Sequence, residues 1–295
     1  MILDGKLVAK KIRSKIKSVI LDNQLKPGLA TILVGSDPAS QIYVGSKQKT
    51  AKRLGFHSIQ IDLPHDCTAS QLTQTIEELN QNPEIHGILL QLPLPKHLDS
   101  NFHLAQISPH KDVDGFHPFN VGRLSLGLDV LAPCTPKGVI RLLSAYGVSP
   151  NGMNAVVVGR SNIVGRPVAQ LLLQQNASVS IIHSRTKNMI DYTSNADLIV
   201  CATGIPDLIQ PTHLRRKCYL IDVGINRLED GTIVGDLDFQ NLHEHDLCAG
   251  ITPVPGGVGP MTIAMLMENC LLAYAHQKEA HLPAIAELQS LNIIG

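Results

Sequence analysis

Short apolar runs alternate along the whole chain with stretches whose apolar residues recur at helical spacing. In the first half, Ala30-Thr31-Ile32-Leu33-Val34, Ser58-Ile59-Gln60-Ile61 and Gly87-Ile88-Leu89-Leu90 predict strands. Between them the pattern predicts helices from about Ser40 to Leu54 and from about Thr68 to Asn80. Ser40 and Thr68 have the side chains of N-caps, Gly55 ends the first helix, and Leu72, Ile76 and Leu79 form the apolar stripe of the second. In the second half, Ala155 to Val158, Ser178 to Ile182, Asp197 to Cys201 and Tyr219 to Val223 predict strands, and a last helix runs from about Pro260 to His276. This alternation predicts an α/β fold with parallel sheets. The segment from Pro118 to Pro136 reads as irregular, with Pro133-Cys134-Thr135-Pro136 as a hinge between the halves.

Composition narrows the picture. A chain of 295 residues is long enough for two domains, each with its own core. Lys+Arg and Asp+Glu balance at 25 each, so no overall field recruits nucleic acid or a membrane surface. Tryptophan is absent and aromatic residues make up only 3%, which argues against a base-stacking platform. Met1 to Lys6 lacks signal-peptide character, and the most apolar run, Met261 to Ala275, is short for a membrane span and interrupted by Glu268 and Asn269. The expected location is the cytoplasm. There, Cys67, Cys134, Cys201, Cys218, Cys248 and Cys270 are free thiols, since no spacing pairs them. His243 and His245 flank Glu244 without further ligands, so no metal site is expected.

Candidate chemistry begins at Gly159-Arg160-Ser161-Asn162-Ile163-Val164-Gly165-Arg166-Pro167, which follows the apolar run Ala155 to Val158. Strand, glycine turn and helix start, with Pro167 in the first helical turn, make an anion site from backbone amides and the helix dipole. The spacing is one residue longer than the common G-x-G-x-x-G, and an ordinary strand-to-helix loop is the competing reading. An NAD site would carry an acid after the second strand, to bond the ribose hydroxyls. Here Ile182 is followed by His183-Ser184-Arg185. Arg160 and Arg185, with the Ser184 hydroxyl, would receive a 2′-phosphate instead, which favours NADP.

In the first half, Tyr43 and Lys47 are four residues apart and share a helix face. Ala51 and Leu54 continue that stripe, so Lys47 is expected on the apolar side, partly desolvated and suited to proton transfer. The alternative is a lysine whose stem covers apolar surface while its head reaches solvent. Gln91-Leu92-Pro93-Leu94-Pro95 follows a strand at the carboxyl end of the sheet, where α/β proteins bind ligands. Lys111-Asp112-Val113-Asp114-Gly115 places two carboxylates in one turn. Either could be surface charge or could accept paired hydrogen bonds from an amino-pyrimidine edge.

These motifs, followed by Pro133-Cys134-Thr135-Pro136, the glycine turn and Thr252-Pro253-Val254-Pro255-Gly256-Gly257-Val258-Gly259-Pro260, occur in an order that resembles the bifunctional methylenetetrahydrofolate dehydrogenase/methenyltetrahydrofolate cyclohydrolase family. The resemblance runs essentially end to end and implies the short, two-activity form. It implies an enzyme of one-carbon metabolism, serving purine, histidine and methionine synthesis, that acts on a small-molecule folate with NADP. The domains it implies are a folate-binding catalytic domain at 1–136, with a returning helix at 262–285, and a Rossmann-like NADP domain at 137–261. Lys47 would carry cyclohydrolase proton transfer, Tyr43 would stack on the aminobenzoyl group, Gln91 would hydrogen-bond Lys47, and Asp114 would hold the pterin. Pro255 and Gly256 would complete the folate pocket. On the cofactor side the family pattern maps to Gly159, Arg160, Ser161, Ser184 and Ile225. A homodimer is implied.

Tyr-x-x-x-Lys also marks short-chain dehydrogenases, but their nucleotide glycines precede the tyrosine, whereas Gly159 follows Tyr43. Gly256-Gly257-Val258-Gly259-Pro260-Met261-Thr262 lacks the lysine that a phosphate-binding nucleotidase loop requires. An NADP-binding sensor without catalysis would have no use for Tyr43, Lys47, Gln91 and Asp114 together.

Overall fold

The structure, a computed structural model, describes residues 1–278 and Pro283. The chain runs through α1 (Gly5–Asp22), β1 (Gly28–Val34), α2 (Pro38–Leu54), β2 (His57–Leu63), α3 (Ala69–Gln81), β3 (Gly87–Leu90), α4 (Ser100–Leu104), α5 (Pro118–Ser125) and α6 (Cys134–Ala145). It continues through β4 (Asn154–Val158), α7 (Gly165–Gln174), β5 (Ser178–Ile182), α8 (Ile190–Thr193), β6 (Leu198–Cys201), β7 (Cys218–Asp222), β8 (Asn226–Arg227) and β9 (Ile233–Val234). It then passes through α9 (Phe239–His243), β10 (Cys248–Ile251) and α10 (Val258–Gln277). Contacts divide it into two compact units, one of Met1–Lys11 with Thr135–Met265 and one of Ile12–Cys134 with residues 266–278.

In the unit that begins at Ile12, a parallel sheet has the order β2-β1-β3, so the first strand is central. Every residue of β1 and β3 is buried, as expected of strands covered on both faces. The α3 stripe Leu72, Ile76 and Leu79 packs with Ile32, Ile88, Leu90 and Ile107. Thr68 caps α3 through a reciprocal box with Gln71. Its other end is closed by Lys111, whose ammonium donates to the carbonyls of Leu79, Asn80 and Asn82 at 3.1, 2.8 and 2.8 Å.

The other unit carries a five-stranded parallel sheet of order β10-β7-β6-β4-β5, again with its first strand, β4, inside. The edge strand β10 is held by the chain start: Leu3 N–H donates to the Ile251 carbonyl at 2.8 Å and Ile251 N–H to that of Met1 at 2.9 Å. Val156, Val158, Ile199 and Leu220 lie in the core of this unit. No disulfide joins the six cysteines, five of which are buried.

Several local features differ from the sequence expectation. Helix α2 starts two residues early, because Pro38 occupies its first turn and Asp37, not Ser40, is the cap; the Asp37 carboxylate accepts the Ser40 N–H at 2.8 Å. The stretch from Pro118 to Pro136 is not irregular throughout. Pro118 opens α5, and Cys134 to Pro136 form the first turn of α6, so both prolines stand where a helix begins. Helix α1 and strand β10 were not anticipated. Helix α10 reaches 20 residues, long and apolar enough by length and composition to cross a membrane, yet most of it is buried inside the protein. The part of the expected returning helix at 279–282 and 284–285 lies outside the described residues.

Burial beside Tyr274, with a contribution from the charges of Lys278 and Lys111, lowers the pKa of His86 from 6.5 to about 4. Its Nδ1 accepts the Gly28 N–H at 3.0 Å, which requires the neutral ring. A depressed histidine stabilises the fold fully above its unfolded pKa, and the contribution fades as pH falls from 6.5 toward 4. That loss should be about 3 kcal/mol. His86→Leu should be less stable at neutral pH, because Gly28 N–H loses its acceptor, but should lose less on acidification. Urea unfolding at pH 7 and pH 4.5 measures both slopes; parallel slopes would exclude His86 as their source.

Candidate active site

At the carboxyl end of β4 the strand order reverses, since β5 lies on one side of it and β6 on the other, as at the ligand crevice of open α/β sheets. A cavity of about 450 Å³ lies there, lined by Gly159, Arg160, Ser161, Ser184, Thr203 and Ile205 among others. Gly159 has φ +118°, and a Cβ on it would overlap the Ala202 carbonyl, so only glycine closes this turn. Ser161 Oγ accepts the Val164 and Gly165 N–H groups at 3.2 and 3.3 Å and fixes the start of α7. The N–H groups of residues 160–163 make no hydrogen bond among the described residues. They can serve an anion, as the glycine turn predicts.

After β5 the turn His183 to Thr186 closes on itself: His183 N–H donates to Thr186 Oγ1 at 3.0 Å and Thr186 N–H returns to the His183 carbonyl at 2.7 Å. Arg160, Ser184 and Arg185 are exposed, and no carboxylate stands at the ribose position of this turn. Arg185 and Ile225 do not line the cavity; both lie exposed on loops at the same edge of the sheet, after β5 and β7.

Two buried carboxylates that sequence reasoning missed hold the third wall. Asp236 accepts the Thr203 N–H and hydroxyl at 2.6 and 2.9 Å, the Gly204 N–H at 3.1 Å and Asn226 Nδ2 at 3.0 Å. Asp222 accepts the N–H groups of Gly224, Asp236 and Leu237 at 3.0, 2.9 and 2.9 Å. Burial raises the Asp222 pKa to about 7, the charge of Asp236 adds to it, and the three N–H donors oppose it. A Cβ on Gly224 would strike the Asp236 carboxylate, and one on Gly235 that of Asp222. The reciprocal pattern Asp222-x-Gly224 and Gly235-Asp236 was the available signal.

In the other unit, Gln91 follows β3 directly, with its N–H bonded to the Ile32 carbonyl of β1. Lys47 Nζ donates to Gln91 Oε1 at 3.0 Å, while Gln91 Nε2 is anchored on the Leu92 carbonyl. Lys47 is half-buried and Tyr43 is 41% exposed. The buried face of α2 includes Val44, Gln48 and Ala51, so Tyr43 and Lys47 stand beside that face rather than on it. The two carboxylates of the next turn differ. Asp112 is buried and accepts the Gly115 and His117 N–H groups and Asn120 Nδ2 at 3.1, 2.7 and 2.9 Å. Asp114 is half-buried and its carboxylate makes no hydrogen bond among the described residues. Pro255 and Gly256 belong to the first unit, between β10 and α10. Pro255 is exposed, and the Gly256 carbonyl accepts the Lys6 N–H at 3.0 Å.

Residues 3–114 match the catalytic-domain model, and residues 133–278 the NAD(P)-binding-domain model, of tetrahydrofolate dehydrogenase/cyclohydrolase. The chain is 51% identical over 282 residues to the bifunctional protein FolD of Wolinella succinogenes, covering 94% of this chain and 98% of that one. Among solved structures, the bifunctional FolD methylenetetrahydrofolate dehydrogenase/cyclohydrolase of Campylobacter jejuni matches with TM-score 0.91 and 46% identity, covering 94% of this chain and 99% of that one. The Trypanosoma brucei methylenetetrahydrofolate dehydrogenase-cyclohydrolase, solved with NADP and an inhibitor, matches with TM-score 0.90 and 36% identity, covering 95% and 99%.

Asp236→Ala strands three donors of the 203–204 loop and one of Asn226. It should cost about 2–4 kcal/mol of stability, the scale of buried donors left without a charged acceptor. It should also weaken dinucleotide binding. Chemical unfolding together with calorimetric titration of the dinucleotide measures both; unchanged affinity in a folded variant would mean that the loop does not depend on Asp236.

Proposed function

The chain belongs to the tetrahydrofolate dehydrogenase/cyclohydrolase family, and from that premise we propose the part each residue of the two sites plays. The protein is a bifunctional one-carbon enzyme. It oxidises 5,10-methylenetetrahydrofolate to 5,10-methenyltetrahydrofolate with NADP and hydrolyses the product to 10-formyltetrahydrofolate.

The residues after β4 and β5 fit NADP. The unpaired N–H groups of residues 160–163 and the open turn at Gly159 suit a diphosphate. Arg160, Arg185 and the Ser184 hydroxyl would hold a 2′-phosphate, with Ser161 fixing the turn and Ile225 completing the set. When bound, NADP takes up hydride from the methylene carbon, a step that demands alignment rather than an acid or base.

Hydrolysis of the methenyl cation is different, because protons must move at the attacking water and at the ring nitrogen. Lys47 is the group we assign to that work. The observation that carries the assignment is its 3.0 Å hydrogen bond to Gln91, at the carboxyl end of a sheet whose first strand is central. The bond takes up one N–H and aims the ammonium, and the other two remain available. Tyr43, exposed one turn earlier, would stack on the aminobenzoyl group. Asp114, with an uncommitted carboxylate, would take paired bonds from the amino-pyrimidine edge of the pterin. Pro255 and Gly256 are assigned to substrate binding.

We assign the folate domain to residues 1–136 with residues 262–285, and the NADP domain to 137–261. A cytoplasmic homodimer is the assembly we propose; the edge position of β5, with Ile181 and Leu173 exposed, supports a self-association surface.

Lys47→Met keeps the stem's volume and removes the titrating group. Cyclohydrolase turnover should fall by about 10²–10⁴-fold while dehydrogenase activity stays measurable and methenyltetrahydrofolate accumulates. Following the methenyl absorbance checks this, and hydrolysis at the normal rate would refute the assignment. Arg160→Ala should weaken use of NADP about ten- to a hundredfold, the scale of a charge-assisted contact, with little effect on NAD. Equal losses with both cofactors would remove Arg160 from the 2′-phosphate site.

A further inference from the structure

In the unit of Met1–Lys11 with Thr135–Met265, a buried polar chain runs between two loops that are far apart in sequence. Strand β7 lies between β6 and β10, so Asp222 at its carboxyl end has the loop after β6 on one side and the loop after β10 on the other. Asp222, Asp236 and Thr252 are at most 2% exposed. Polar groups that deep are costly unless bonded, and these bond to one another's backbone. On the β6 side, Asp236 holds both ends of the loop that walls the dinucleotide cavity. Its carboxylate accepts the Thr203 and Gly204 N–H groups, and its carbonyl accepts the Leu208 N–H at 2.8 Å. Thr203, Ile205 and Leu208 all line that cavity. Asp236 is held in turn by Asp222, whose carboxylate accepts the N–H groups of Asp236 and Leu237.

On the β10 side, the Asp222 N–H donates to the Thr252 hydroxyl at 2.7 Å, so a strand N–H is met by a side chain rather than by a neighbouring carbonyl. Thr252 also supports the turn that follows it. The Gly257 N–H closes that turn on the Pro253 carbonyl at 2.7 Å, and a Cβ on Gly257 would come within 2.7 Å of the Thr252 Cβ. Pro255 and Gly256 lie within this turn. We propose that Asp222 is a positioning residue that ties the NADP loop at 203–208 to the turn at 253–257, so that a change at the base of the turn is felt at the cofactor. On the reading that gives Pro255 and Gly256 to the folate, on which this coupling of substrates rests, both substrates' loops share one rigid support. Hydride transfer needs both partners aligned at once, and loops held independently would let each drift. A purely local role for Thr252, as packing under the turn, gives no effect at the cofactor.

A change made at the turn is therefore read at the cofactor. NADP is titrated by calorimetry into the free enzyme, without folate, for the wild type, Thr252→Val and Thr252→Ser. Thr252→Val keeps the shape but leaves the Asp222 N–H without its acceptor. It should weaken NADP binding about three- to tenfold, the scale of coupling within one hydrogen-bond network. Thr252→Ser keeps the hydroxyl and should stay within about twofold of the wild type, which a loss of packing alone would not allow. In an Asp236→Ala background, where the carboxylate end of the link is already cut, the effect of Thr252→Val should largely disappear. If chemical unfolding shows that Thr252→Val does not fold, Thr252→Ala takes its place, since it keeps the Cβ under Gly257. Unchanged NADP affinity in the folded variant, a Thr252→Ser enzyme as weak as Thr252→Val, or equal effects in both backgrounds would each overturn the link. The KM for 5,10-methylenetetrahydrofolate should rise in Thr252→Val as well. If that KM stays unchanged while NADP affinity falls, the assignment of the turn to the folate fails, and the coupling of substrates with it.

Discussion

Each of the two parallel sheets starts with a strand that ends up in its interior, β1 between β2 and β3 and β4 between β5 and β6. The rest of the molecule depends on that constraint. Crossovers of one hand leave such a strand on opposite sides, so the loops at its carboxyl end separate and cannot satisfy one another. The interior strands below are largely buried and paired on both sides, while the turns above keep unpaired N–H groups and short polar side chains. Gly159 stands one residue past the interior strand β4, and Gln91 stands one residue past β3, bonded through its N–H to Ile32 of the interior strand β1. Chemistry sits there because the sheet leaves open polar groups on a rigid base.

Much of this was legible. The strands at Gly87–Leu90 and Ser178–Ile182 were read with their observed bounds, since continuous apolar runs between turns leave little choice. Leu72, Ile76 and Leu79 were read as the buried stripe of α3, and Thr68 as its cap. Strand β10 escaped because Gly250 interrupts a four-residue run and its other support, Met1 to Leu3, lies at the far end of the chain. Helix α1 was legible at Val8, Ile12, Ile16 and Val19, all buried, but six cations in eighteen residues obscured its stripe. The prolines at 118, 133 and 136 were read as breaking structure, when Pro118 and Pro136 begin helices. Proline is tolerated where the first N–H groups of a helix have no partner, so it marks a start as readily as a break.

The aspartates show why site residues were harder to read than strands. Asp112 and Asp114 are two residues apart in the same turn, and either could have met a ligand. Burial separates them: Asp112 accepts three donors and holds the turn, and Asp114 keeps its carboxylate uncommitted. Asp222 and Asp236 resemble surface residues in the sequence, yet both are buried and together accept seven hydrogen bonds. Their environment depends on Gly224 and Gly235, each of which leaves room for the other loop's carboxylate. The sequence shows each glycine near its own aspartate, and the fold crosses the pairs, Gly224 with Asp236 and Gly235 with Asp222.

Lysines divide in the same way, and the division bears on mechanism. Lys111 is the more buried of the two that matter here, and burial lowers its pKa, which by the sequence argument would make it the better candidate for proton transfer. All three of its N–H groups are spent on the carbonyls that end α3, however, so it has nothing to offer a substrate. Lys47 spends one on Gln91, which is itself tied to Leu92 and to β1 through its backbone. A lysine can move a proton only if its donors are not all committed and its position does not wander. Lys47 meets both conditions because a neighbour, rather than deep burial, holds it in place.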